Sequence, residues 1–154
     1  MSQYTGKSEL PYKHSEITDK IIASFYAVYK SLGYGFLEKV YENAMALELR
    51  RRNVTIKAQT PITVFYEGEI VGEYFADLLV ADAVIVELKA AKALADEHEA
   101  QLLNYLKATP YEVGLLLNFG PEPKIKRRSF ENSRKEWWCK QQDQRSSAKS
   151  ASNV

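Results

Sequence analysis

The chain has 154 residues and carries 21 Lys+Arg against 20 Asp+Glu, a formal net charge of +1, with 45% hydrophobic and 27% charged residues. These values describe one globular domain long enough to bury a sizeable core. They exclude a membrane span, since no run approaches about 18 apolar residues, and the single cysteine, Cys139, builds neither an internal disulfide nor a thiolate metal cage.

In chain order, residues 1–14 are polar and read as a flexible N-terminus without the apolar core of a secretion signal. With the lone thiol this points to the cytoplasm. From Ser15, apolar residues at Ile21, Ile22, Phe25, Val28, Tyr29 and Leu32 fall three and four apart, marking one face of a helix that Gly33 and Gly35 end. Leu37, Val40, Tyr41, Ala44 and Leu47 repeat the pattern up to Arg50-Arg51-Arg52, cations that suit a helix C-terminus. The chain thus opens with a helical hairpin.

The period then changes. Val54-Thr55-Ile56 and residues 62–66 read as two strands rich in β-branched and aromatic side chains, and 70–80 and 83–89 as two more. Residues 96–108 return to helix, stopped by Thr109-Pro110. A buried strand over 113–119 and an edge strand over 124–130 follow. The order predicts an α/β fold with a mixed β-sheet flanked by helices. Residues 131–154 read as a basic polar tail, a short helix or arm passing into disorder.

The chemistry centres on Asp77, Glu87 and Lys89. Residues two apart on a strand share a face, so Glu87 and Lys89 point the same way. A turn at Ala81-Asp82-Ala83 sets Val80 opposite Val84. That register places Leu78 opposite Val86, Asp77 opposite Glu87, Ala76 opposite Leu88 and Phe75 opposite Lys89. Two carboxylates facing each other repel unless a cation lies between them, and oxygen ligands suit Mg²⁺ or Mn²⁺. A solvated ladder of charges and a structural acid–Lys pair are the competing readings. Glu38 opens the second helix, where an acid also simply complements the helix dipole. Gln101 and Tyr105 lie four apart on the third helix, on one face with His98.

Gly35-Phe36-Leu37-Glu38-Lys39-Val40-Tyr41 resembles the signature of the GxxExxY protein family, within the PD-(D/E)XK nuclease superfamily. The resemblance continues through Gln59-Thr60-Pro61-Ile62, Ala76-Asp77-Leu78, Val86-Glu87-Leu88-Lys89, the helix from His98 to Leu106, and Leu117-Asn118-Phe119-Gly120. It implies a restriction-endonuclease-like core over residues 15–130. It implies that Asp77 and Glu87 hold a divalent metal with Glu38 completing the shell, and that Lys89 positions or activates the attacking water. Gln101 and Tyr105 resemble the Gln-x-x-x-Tyr motif of the recombination-nuclease branch. Ala76 stands where the superfamily name has Pro. The implied activity is metal-dependent hydrolysis of phosphodiester bonds in nucleic acid, DNA favoured over RNA, with no membrane partner and homo-oligomerisation left open. The alternative is a catalytically silent binding or assembly module on the same fold.

The net charge divides unevenly. Residues 124–154 hold 9 Lys+Arg and 3 Asp+Glu, a net of +6, and residues 1–123 hold 12 and 17, a net of −5. Lys124, Lys126, Arg127 and Arg128 are therefore the expected nucleic-acid-binding residues, with Arg50-Arg51-Arg52 as a second cluster.

Overall fold

A computed structural model of the chain describes residues 13–151. Most of the expected flexible N-terminus, residues 1–12, and the last residues of the tail, 152–154, lie outside the described residues. The helical hairpin is α1 (Ser15–Leu32) and α2 (Glu38–Arg51). Three strands follow, β1 (Ile56–Tyr66), β2 (Glu69–Val80) and β3 (Val84–Lys89). Then come α3 (Asp96–Ala108), β4 (Val113–Phe119), β5 (Pro123–Ser129), a 3-10 turn (Asn132–Arg134) and α4 (Glu136–Ala151).

The strands form one sheet in the order β1-β2-β3-β4-β5. Every pairing is antiparallel except β3–β4, which is parallel. Parallel neighbours need a crossover, and α3 supplies it. The fold is the expected α/β arrangement, a mixed sheet between helices. Strand β4 is buried at every residue, which its unbroken apolar run requires of a strand covered on both faces.

On one face, α1 and α2 bury Ile21, Phe25, Tyr41, Met45 and Leu49 against Leu78, Val80, Val86, Leu88, Leu115 and Leu117. On the other, α3 buries Leu102, Tyr105 and Leu106 against Leu79, Ile85 and Leu116. Each such side chain contributes about 1.5–3 kcal/mol. Gly114 brings α3 close to β4: a Cβ there would lie 2.6 Å from a Leu102 methyl. Among the described residues no helix is long and apolar enough to cross a membrane.

Two expectations are corrected. Residues 54–56 and 62–66 are not separate strands. Ile56 and residues 62–66 belong to the single strand β1, which runs through Pro61, while Val54 and Thr55 lie just before it. This strand lies at the sheet edge, where a missing N–H leaves no neighbour unpaired. The expected short helix or arm of the tail is a 16-residue helix, α4. Its Gln, Lys, Arg and Ala residues favour helix, and Glu136 pairs with Lys140 one turn on at 2.9 Å.

Tyr41 organises the hairpin. Its fully buried ring stacks on Phe119 with centroids 4.1 Å apart. Its hydroxyl donates to the Gly33 carbonyl at 2.7 Å and accepts from the Phe36 N–H at 3.2 Å. The loop that presents Glu38 at the start of α2 is thereby pinned to the core. Removing the hydroxyl strands both backbone groups, so Tyr41→Phe is expected to cost about 1–3 kcal/mol in urea unfolding. A variant as stable as the wild type would show that the loop does not depend on this oxygen.

Candidate active site

The β2–β3 ladder pairs Val80 with Val84, Leu79 with Ile85 and Leu78 with Val86, the register read from the sequence. There it stops. The expected cross-strand pairs Asp77–Glu87, Ala76–Leu88 and Phe75–Lys89 do not form. Instead, the Asp77 N–H donates to Glu87 Oε1 at 3.0 Å, and the Leu88 N–H donates to Asp77 Oδ2 at 2.8 Å. Each carboxylate replaces a carbonyl of the opened ladder, so the strands separate without orphaning those amides.

A second irregularity lies beside the opening. Gln59, opposite Asp77 in the β1–β2 register, is missing from that ladder and adopts a left-handed backbone, φ 52°. Alternation in β2 slips at the same place. Ala76 and Leu79, three residues apart, both pack on the α3 side, while Leu78 and Leu88 pack on the α1–α2 side. Ala76 therefore does not meet Leu88, as uniform alternation would have had it.

Glu87 is 5% exposed. Burial first, and the neighbouring Asp77 second, push its carboxyl up to about 8. Asp77 is raised as well, by burial and then by Glu42, while its bond from Leu88 opposes the shift. The charge of Lys89 draws both acids down, which places the ammonium in the field of the pair. Asn118 holds the chain just beyond Lys89. Its side-chain amide accepts from the Ala91 N–H and donates to the Ala91 carbonyl, both at 3.0 Å.

From α3, Gln101 Nε2 donates to the Tyr105 hydroxyl at 2.7 Å. Burial, and next the charge of Glu87, push Tyr105 up to about 12. Both residues thus flank the acids. His98 plays a different part. Its Nδ1 accepts from the Ala95 N–H at 3.1 Å and caps the first turn of α3.

Glu38 is exposed at the first position of α2 and acts on Asp77 and Glu87 only through its charge. The acid of α2 that is buried beside Asp77 is Glu42, 6% exposed, bonded by Lys39 at 3.2 Å and by Gln59 at 3.0 Å. Sequence reasoning missed it. The available signal was its spacing, four residues after Glu38 and on the same helix face. Glu38, Asp77 and Glu87 therefore do not converge into the expected three-ligand cluster, and among the described residues no three His, Cys, Asp or Glu side chains do.

The donor set still fits a hard divalent cation. Asp77 and Glu87 each spend one oxygen on a backbone amide. Among the described residues no buried side-chain oxygen lacks a partner, so the remaining oxygens face accessible space. A cation there would offset the burial that chiefly raises both acids and the repulsion that adds to it.

The basic cluster lies elsewhere. One strand, β4, separates β5 from β3, about 10 Å across the sheet. Lys126 at 3.8 Å and Arg128 both pair with Glu99 of α3, and Lys124 pairs with Glu122 at 3.4 Å. Arg127 donates to the Lys13 carbonyl at 2.8 Å. The structure groups these four cations, but with protein partners and not around Asp77 and Glu87.

The raised Glu87 has a measurable consequence. Folded, it keeps its proton up to about pH 8, whereas unfolded it releases it near 4.5. The stability it contributes is present below the unfolded value and lost as pH rises through the folded one. Asp77 adds the same sign. In EDTA, the Tm of the wild type is therefore expected to fall across this window, and Glu87→Gln to flatten the fall. An equal slope in both proteins would contradict this.

A family model described as the PD-(D/E)XK nuclease superfamily matches residues 15–129. Among solved structures, the crystal structure of SSO0001 is similar, with a TM-score of 0.49 and 18% sequence identity over 76% of this chain. The present chain spans 59% of the length of that one. No curated protein matches it in sequence. The family match runs from the first helix to the last strand and takes in the opened ladder with Asp77, Glu87 and Lys89, so the chain belongs to the PD-(D/E)XK nuclease superfamily.

Proposed function

We propose that this chain is a metal-dependent nuclease that hydrolyses phosphodiester bonds in nucleic acid, with DNA favoured over RNA, and that its Gly35, Glu38 and Tyr41 mark it as a GxxExxY-type member. The observation that carries the reading is the pair of carboxylates at the opened β2–β3 ladder, Glu87 buried and Asp77 half-buried, with Lys89 two residues beyond Glu87 on the same strand. Asp77 and Glu87 would hold Mg²⁺ or Mn²⁺, with Glu38 adding negative charge at the mouth. The cation would lower the pKa of water and offset charge on the reacting phosphate.

The chain's own groups do the remaining work. Lys89 sets a positive charge beside the acids, where it orients the attacking water or meets charge developing on phosphate. Tyr105, held near 12, keeps its proton at neutral pH. Because its oxygen accepts from Gln101, its O–H remains to donate to a phosphate oxygen. Glu42, held by Gln59 and Lys39, adds negative charge beside Asp77. The cations of β5 act as a remote electrostatic surface. The Lys124–Glu122 pair is exposed, and such pairs are worth about 0–1 kcal/mol, so a phosphate readily replaces that carboxylate, whereas Arg128 and Glu99 are half-buried.

The test is cleavage of supercoiled, linear and single-stranded DNA, and of RNA, with Mg²⁺ or Mn²⁺. Asp77→Ala and Glu87→Ala are expected to reduce cleavage to background, and Lys89→Ala to slow it by about 10²–10³-fold. Calorimetry with Mn²⁺ is expected to give binding that both acid variants lose. Equal cleavage by wild type and Glu87→Ala overturns the reading. Absence of Mn²⁺ binding to the wild type assigns the fold to a silent module.

A further inference from the structure

Beside the acids lies a groove of about 1040 Å³, of which the proposed hydrolysis uses only the Gln101–Tyr105 end. The outer half of the β1–β2 hairpin, the exposed face of α3 and the first turn of α4 form its walls. Its rings are Phe65, Tyr74, Tyr105 and Trp137. Phe65 is 61% exposed and Tyr74 47%, a large apolar area for the surface of a folded domain.

Several features hold these rings in place. The Trp137 indole N–H donates to the Lys107 carbonyl at 2.8 Å. Lys135, two residues earlier, is buried and donates to the carbonyls of Thr109 and Tyr111, which anchors the start of α4 against the end of α3. Tyr74 leans on Tyr105 with centroids 5.8 Å apart. Gly72 makes room for it, because a Cβ there would lie 2.9 Å from the Tyr74 ring.

The occupant follows from chemistry and position. Between the rings stand the amides of Gln101, Asn104 and Gln141, which offer both donors and acceptors. The lining carries one lysine, Lys107, and one acid, Glu97, so it offers no track for a row of phosphates. Flat aromatic faces with amides between them suit a base, which has a π-face and a polar edge. One end of the groove is the Gln101–Tyr105 pair, whose phenol lies in the field of Glu87 and Asp77. A paired base inside a duplex shows neither its face nor its pairing edge.

We propose that this groove is a base-stacking subsite, in which Phe65, Tyr74 and Trp137 take an unpaired base of a single-stranded segment whose phosphate reaches Asp77 and Glu87. The subsite rests on the phosphodiesterase reading for what lies at its inner end, but its binding is measurable without cleavage.

The experiment uses the full chain in EDTA and two short oligonucleotides of one sequence carrying a fluorescent purine analogue, one single-stranded and one as a blunt duplex. The wild type is expected to bind the single strand more tightly than the duplex and to quench the purine. Phe65→Ala and Tyr74→Ala are each expected to weaken single-strand binding about tenfold and leave the duplex unaffected. Phe65→Leu and Tyr74→Leu keep apolar bulk without a π-face, and both positions are exposed, so the fold survives them. These variants are expected to lose the quenching as the alanine variants do.

Leucine variants that bind and quench like the wild type overturn the subsite. So does a wild type that forms a dimer in light scattering which Phe65→Ala makes monomeric, because the groove is then a contact between copies. If groove variants bind as the wild type while Glu87→Ala abolishes cleavage, only the subsite fails. If the wild type binds and quenches but no metal supports cleavage, only the nuclease reading fails.

Discussion

Asp77, half-buried, and Glu87, buried, are held close together at the opened ladder, and the surrounding structure answers the cost of that placement. Two like charges there favour proton uptake or a cation. The fold first gives each acid a backbone N–H, taken from the ladder the two strands would otherwise share. The same bonds fix each carboxylate in direction. The place where the sheet comes apart is thus also the place where its most reactive groups are best ordered.

The site is supported from three sides. Tyr41 joins the stack on Phe119 to the loop before α2, which sets where that helix begins and where Glu38 and Glu42 stand. Asn118 ties down the chain after Lys89 with two hydrogen bonds to one backbone residue. Gln101 and Tyr105 come from the opposite layer, already bonded to each other. Each of these side chains is already hydrogen-bonded, so part of its rotamer freedom is lost before a substrate binds.

Charge is arranged by position and not by total. The net of +1 conceals a basic C-terminal stretch and an acidic remainder. In the folded chain much of that basic charge already faces acids, notably Glu99. An acidic pocket without a cation repels phosphate, whereas exposed, weakly paired cations exchange partners at low cost. On the proposed nuclease reading, a polyanion would therefore be held at a few points of contact and not by a broad positive field.

Local pattern was enough to find the helical hairpin, the crossover helix, the buried strand β4 and the three-pair register of β2 with β3. Period and turn chemistry act within a few residues, and Val80, Leu79 and Leu78 meet Val84, Ile85 and Val86 as alternation requires. It also singled out Asp77, Glu87 and Lys89 as candidates, because charges inside apolar strands stand out. Alternation could not show its own failure at Asp77, which coincides with a left-handed Gln59 opposite it on β1. Nor could it show Glu42, an ordinary helical acid until the hairpin buries it, or the acid partners that α3 brings to β5. Residue type and spacing decided which chemistry the chain carries. Packing between distant segments decided where the ladder opens, which acids are dry and which rings line the groove, because burial and charge coupling depend on neighbours that sequence order does not place side by side.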